Sequence, residues 1–167
     1  MSYLNNLKID KNIYTDKQIF EMENFVLSNE FPWYHIKEQT ENNNDGLFFS
    51  HNFYSNHSFC SKYSNLLNPL LNLIKPTAIL SIRMNLTLNK NTRYCCYFHT
   101  DDINKQRKHT TSVFYLNTNN GYTELEDGTK ILSEKNKLAS FPAYIKHRAC
   151  STTDKPVRIV INLNYIK

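Results

Sequence analysis

The chain is poor in the residues that build irregular or cross-linked proteins. Three glycines and five prolines in 167 residues exclude collagen-like and glycine-rich linker classes. Four cysteines, Cys60, Cys95, Cys96 and Cys150, are too few for a disulfide scaffold. Two of them are adjacent, which disfavours a normal bridge, so reduced thiols in a reducing compartment are expected. No apolar run reaches the roughly 18 residues that a membrane-crossing helix needs. The opening stretch MSYLNNLKIDKN lacks the basic-then-apolar pattern of an export signal, so a cytoplasmic location is expected.

The residues that are present describe an ordinary globular chain. Hydrophobic residues make up 40% and charged residues 21%, which separates it from disordered sequences. A single domain over 1–167 is expected, since one core suffices for this length. The net charge of +5 hints at an anionic partner. The lysines are spread along the chain, however, and the one dense run is Lys105 to His109. Nucleic acid is therefore the less favoured partner. The abundance of Asn and Lys points to an AT-rich coding genome.

Two helices and then a run of strands are expected. Thr15 and Gln18 form a capping box, followed by Ile19, Met22 and Val26 at helical spacing, with Asn29 marking the end. Phe31 to Ile36 reads as a strand containing Trp33 and Tyr34 as core anchors, and Glu38 to Gly46 as a loop. Phe59, Tyr63, Leu66, Leu67, Leu70, Leu71 and Ile74 form one apolar helical stripe, kinked at Pro69 and stopped by Pro76.

From Thr77 the period changes to two, with strands over 77–88, 110–117, 122–126, 129–132, 137–141, 147–151 and 157–165. Asn119-Asn120-Gly121 and Asp127-Gly128 favour positive-φ turns between them. Residues 1–76 then support a β-rich core over 77–167, a sandwich or barrel with helices against one sheet. On the last strand Arg158, Val160, Asn162 and Asn164 share one face. Ile159, Ile161 and Leu163 share the other, expected to meet the helices. A charged residue on an inward face is costly unless paired, so either Arg158 has an anionic partner or this face is solvated.

His99-Thr100-Asp101 places an imidazole and a carboxylate on one side of an extended chain. With a second histidine from another strand, these residues can hold a divalent metal and leave positions open on it. His147, at the start of a strand upstream of Arg158, is the candidate. Iron held by two imidazoles and a carboxylate can be chelated by a 2-oxoacid, and an arginine suits the distal carboxylate of a five-carbon diacid.

On HTD at 99–101, His147, and Arg158 within RIVINLNY, the chain resembles the Fe(II)- and 2-oxoglutarate-dependent oxygenases over roughly residues 77–166. TSVFYLN at 111–117 looks like the prolyl-hydroxylase strand whose tyrosine helps bind the cosubstrate, with Tyr115 at that position. Asn120-Gly121, followed by Leu125, stands where the family has a GGxL-type turn. TNNGYTELEDGTKILSEKNKLASFPAYIKH also looks like small phage-encoded oxygenases.

The resemblance implies a double-stranded β-helix of the jelly-roll or cupin type, mainly β with N-terminal α-helices. It implies Fe(II) held by His99, Asp101 and His147, the catalytic set, with 2-oxoglutarate and O2 as co-reactants. Arg158 and Tyr115 would hold the cosubstrate. Asn85 stands where prolyl hydroxylases carry a tyrosine and is placed beside the cosubstrate.

The implied reaction is hydroxylation of a peptidyl, prolyl-type, or small-molecule substrate, with succinate and CO2 as co-products, in the host cytoplasm if phage-encoded. Asn164, where demethylases have a second arginine, speaks against nucleic-acid repair. The alternatives are a nucleic-acid-modifying oxygenase, a metal-binding cupin without 2-oxoglutarate, and a non-catalytic virion module. Asp102 is expected to be a turn residue, Cys95 and Cys96 buried filler, and His109 exposed.

Overall fold

The computed structural model describes residues 3–36, 48–101 and 109–167. The expected loop over 38–46 and the basic run 105–108 lie outside the described residues.

Helix α1 spans Asp16–Val26. Its start is set by the expected capping box: Thr15 Oγ1 accepts from the Gln18 amide at 3.2 Å, and Gln18 Oε1 accepts from the Thr15 amide at 2.9 Å. The second apolar stripe does not form one helix. It divides into strand β4 (Ser58–Phe59), a 3-10 turn (Ser64–Leu67) and helix α2 (Asn68–Ile74). Pro69 sits in the first turn of α2, where its missing N–H removes no hydrogen bond. It therefore opens the helix rather than kinking it, and Phe59 is left 49% exposed.

The remaining strands are β1 (Lys8–Lys11), β2 (Tyr34–His35), β3 (Phe48–Ser55), β5 (Ala78–Leu88), β6 (Thr110–Tyr115), β7 (Tyr122–Leu125), β8 (Lys130–Leu132), β9 (Lys137–Pro142), β10 (His147–Cys150) and β11 (Val157–Ile166). One antiparallel sheet has the order β1-β9-β6-β11-β5-β3-β2, with β4 paired to β3. A smaller sheet has the order β10-β7-β8. The described residues are thus mainly β, as expected, with two short α-helices among them. The N-terminal residues do more than support the core, because β1, β2, β3 and β4 are all part of the large sheet.

Strand β11 lies between β5 and β6, and its two faces separate core from cavity. Ile159, Ile161 and Leu163 pack with Ile19, Met22 and Val26 of α1 and with Leu70 and Ile74 of α2. The opposite face, with Arg158, Val160, Asn162 and Asn164, lines a cavity of about 450 Å³ together with Ser81, Arg83 and Asn85 of β5. Strict alternation along both strands produces this division.

Several local expectations are corrected. The strand expected over 31–36 shrinks to Tyr34–His35. Tyr34 is 60% exposed, whereas Trp33 is half-buried and donates its indole N–H to the Val26 carbonyl at 2.8 Å. His109 is buried. No residue of Asn119-Asn120-Gly121 has positive φ, whereas Gly128 has φ 86°.

The expected thiols are corrected as well: Cys95 and Cys150 form a disulfide, while Cys60 and Cys96 are free. The adjacency of Cys95 and Cys96 does not hinder it, because Cys95 is bridged to β10 directly opposite Cys150, where side chains of an antiparallel pair meet.

Candidate metal and cosubstrate site

The segment 95–101 has little regular structure, but backbone hydrogen bonds fix it against the small sheet. His99 and His147 exchange both amide bonds, N–H to carbonyl, at 3.0 and 2.9 Å. The two imidazoles therefore come from directly opposed residues, with ring centroids 4.6 Å apart. The Asp101 amide donates to the Ala143 carbonyl at 3.2 Å, which brings its carboxylate round to the same side.

The ligand atoms of His99, Asp101 and His147 all lie within 4.8 Å of one another. His99 Nε2 is 3.8 Å from Asp101 Oδ1, and His147 Nε2 is 3.8 Å from Asp101 Oδ2. Each imidazole uses Nδ1 on a backbone carbonyl, Tyr97 at 3.2 Å and Ile145 at 3.1 Å. With Nδ1 as donor, both Nε2 lone pairs turn toward the shared space, the tautomer a metal requires. Thr111 Oγ1 stands 2.8 Å from Asp101 Oδ2 and 2.8 Å from Asn164 Oδ1. Its one proton serves one of them at a time. A donor set of two nitrogens and one oxygen, open on the cavity side, fits Fe(II).

The two histidines differ electrostatically. Burial pulls the His147 pKa down, against the opposing pull of the Asp101 charge. Burial also acts downward on His99, but the hydrogen bonds with Cys96 and the Tyr97 carbonyl and the nearby Asp101 together raise its pKa.

Arg158 occupies the far end of the cavity. It is 2% exposed and donates Nε to Ser133 Oγ at 3.0 Å and Nη2 to Thr123 Oγ1 at 3.2 Å. Its guanidinium carbon lies 5.6 Å from the Tyr115 ring centroid. No carboxylate pairs with it among the described residues, and desolvation lowers its pKa. A cation this deeply buried among neutral hydroxyls calls for an anion.

Tyr115 is also buried, and its hydroxyl donates to Thr123 Oγ1 at 2.8 Å. In this arrangement the Tyr115 proton reaches Thr123 rather than the cavity, and the Thr123 hydroxyl is left to donate onward. Asn85 lines the cavity between the two ends, and its buried Oδ1 has no hydrogen-bond partner.

Five of the six residues singled out from sequence line the cavity, and the sixth, Tyr115, reaches it only through its contact Thr123. Thr111, Thr123, Ser133 and Gly121 were not foreseen. The first three carry no motif and are placed by the second sheet or by β6. Gly121 belongs to the expected turn but serves a different purpose. A Cβ there would lie 2.7 Å from Arg158 Cδ and 2.9 Å from the Cys150 carbonyl oxygen, so Arg158 passes where only glycine leaves room. The histidines His51 and His99 also contrast. His51 is buried with both ring nitrogens engaged, by the Pro32 carbonyl at 2.9 Å and Ser61 Oγ at 2.7 Å.

No protein-family model and no curated protein matches the chain. Solved structures do. A prolyl hydroxylase from Trichoplax adhaerens, in complex with a hypoxia inducible factor oxygen degradation domain peptide fragment, is 16% identical, with TM-score 0.64 over 98% of this chain and 84% of that one. A viral collagen prolyl hydroxylase from Paramecium Bursaria Chlorella virus-1, in a 2-oxoglutarate complex, is 12% identical, with TM-score 0.63 over 97% of each chain. The epimerase SnoN, in complex with Fe3+, alpha ketoglutarate and nogalamycin RO, is 9% identical, with TM-score 0.70 over 97% of this chain and 79% of that one. At these identities the likeness is one of architecture, and the chain has the fold of the 2-oxoglutarate- and Fe(II)-dependent oxygenases, prolyl hydroxylases among them.

Proposed function

We propose that the protein is an Fe(II)- and 2-oxoglutarate-dependent dioxygenase, one catalytic unit whose core spans 77–167. The observation that carries this reading is one cavity with two complementary ends: a His-Asp-His ligand set at one, and a buried arginine without an anion at the other.

His99, Asp101 and His147 would hold the iron, which when bound supplies oxygen activation beside a chelated 2-oxoacid. Arg158 would bind the distal carboxylate of 2-oxoglutarate, and the Thr123 hydroxyl would donate to the same carboxylate. Tyr115 would orient Thr123, and reaches the cosubstrate itself only by turning its proton away from Thr123. Asn85 supports a third contact. 2-Oxoglutarate offers only acceptors, so the Asn85 amide would present Nδ2 to it by turning about its side-chain torsion.

Hydroxylation is the proposed outcome, with succinate and CO2 as co-products. The Tyr115 strand favours a peptidyl, prolyl-type or small-molecule substrate over nucleic acid. A cytoplasmic setting belongs to this reading. None of the described helices is long and apolar enough to cross a membrane.

The test is to load the protein with Fe(II) under argon, add 2-oxoglutarate, admit oxygen, and measure succinate and CO2. Formation of both, dependent on iron and abolished by Asp101→Ala, supports the reading. Metal uptake without any 2-oxoglutarate binding or consumption leaves a metal-binding cupin in its place.

A further inference from the structure

Arg83 is the one charged cavity-lining residue that neither end of the site uses. The charged side chains among the described lining residues are Arg83, Asp101 and Arg158. Arg83 lies on β5, opposite Asn162 of β11, and the next inward pair is Ser81 with Asn164. Asn164 shares Thr111 with Asp101, so this level of the sheet is the level of the metal carboxylate. Asp101 acts on Arg83 through its charge, while desolvation lowers the Arg83 pKa. No hydrogen bond or ion pair engages Arg83 among the described residues, and the residue is exposed, so its guanidinium is reachable from solvent.

The charges in the loaded cavity show what is missing. Two positive charges from Fe(II) and one from Arg158 balance one negative charge from Asp101 and two from 2-oxoglutarate. Arg83 is left as a cavity-lining cation with no anionic partner, exposed and therefore free to receive one from solution. The cosubstrate cannot serve it, since its two carboxylates are committed to Arg158 and to the metal. The remaining reactant is the substrate to be oxidised.

We infer, resting on the oxygenase reading above, that Arg83 is the specificity-determining residue for a carboxylate-bearing substrate, with Asn162 and Ser81 as flanking hydrogen-bond partners. A guanidinium binds a carboxylate through two parallel N–H bonds. Such a clamp fixes the position of the rest of the substrate relative to Asp101, which lines the same cavity. The carboxylate belongs either to a free acid or to an Asp or Glu side chain of a peptide.

The test uses the Fe(II)- and 2-oxoglutarate-loaded protein under argon. Each probe is a matched pair: small mono- and dicarboxylic acids and amino acids against their primary amides, and short Asp- or Glu-containing peptides against their Asn or Gln counterparts. Binding is read by calorimetry and by perturbation of the visible charge-transfer band of the iron–2-oxoglutarate chelate. Expected is binding of at least one carboxylate probe, with its amide weaker by about 10–100-fold. Which arm binds, free acid or peptide, identifies the source of the carboxylate.

Arg83→Gln should remove that preference, and Arg83→Lys should restore part of it as a point charge without the fork. The effect of Arg83→Gln on probe affinity should exceed its effect on 2-oxoglutarate affinity by about tenfold or more. Equal affinity for acids and amides, binding by phosphomonoesters alone, no binding by any carboxylate, or Arg83→Gln weakening 2-oxoglutarate as much as the probe would each overturn the assignment. A protein that binds no 2-oxoglutarate at all fails the oxygenase reading instead.

Discussion

The metal end and the arginine end of the cavity solve opposite problems. At the metal end the side chains of His99 and Asp101 are 44% and 18% exposed, and the imidazoles are oriented by backbone carbonyls. At the arginine end Arg158 and Tyr115 are sealed from water, and the guanidinium is held by side-chain hydroxyls. A metal that must exchange ligands with a cosubstrate and oxygen needs access. An ion pair gains strength where water is excluded, because the effective dielectric constant falls. One end is therefore open with rigid tautomers, and the other is dry with an unpaired charge.

The comparison predicts separable failures. Asp101→Ala should have the largest effect. It removes a ligand, so metal affinity should fall by more than the roughly 10–100-fold that loss of an outer partner costs, and turnover should vanish. Calorimetric metal titration checks the first and succinate formation the second, while circular dichroism should show the fold intact.

Arg158→Ala should leave metal binding nearly unchanged and raise the KM for 2-oxoglutarate by about two to three orders of magnitude, from about 3–5 kcal/mol for one partner of a buried pair. Unchanged cosubstrate affinity would break the comparison at its dry end.

A pair of smaller changes sharpens it. Gly121→Ala pushes a methyl group onto Arg158 Cδ and the Cys150 carbonyl, an overpacking cost of about 1–3 kcal/mol. It should weaken 2-oxoglutarate by about 10–100-fold with metal affinity retained. Thr111→Val deletes the hydroxyl beside Asp101 and should weaken metal by about 10–100-fold with 2-oxoglutarate affinity retained in the surviving holoenzyme. Parallel metal and cosubstrate titrations of both variants separate the two ends.

The mildest perturbation is pH. Metal needs both Nε2 atoms free of protons, so affinity falls as pH drops. His99, whose pKa is raised, becomes protonated first, and affinity should decline about tenfold per pH unit below that point. His147, whose pKa burial lowers, joins only at lower pH and steepens the decline to about a hundredfold per unit. A metal-binding profile with a single slope would place both histidines in one environment.

The clustering of His99 with Asp101 was largely legible because its signal is local. His99 and Asp101 are two residues apart, so an extended chain puts them on one side whatever surrounds it. His147 and Arg158 were readable from strand pattern. The cysteines were misread because a pairing of Cys95 with Cys150 depends on which strand lies opposite. The second helix was misread because the same apolar spacing suits a helix, a 3-10 turn and a strand end, and Pro69 fits a helix start as well as a kink. Strand β3, with its mixed sequence FFSHNFYS, takes its place from pairing with β5 rather than from its own periodicity.

By itself the sequence determined the period-two core, the two faces of β11, and the juxtaposition of His99 and Asp101, since alternation and two-residue spacing are properties of the chain alone. Only the tertiary structure decided that Thr123 and Ser133 wrap Arg158, that Gly121 clears its path, that Thr111 meets Asp101, and that Arg83 is left without an anion. These contacts join residues 10 to 37 positions apart, and no local pattern encodes a partner that reaches its place only when two sheets close on one cavity.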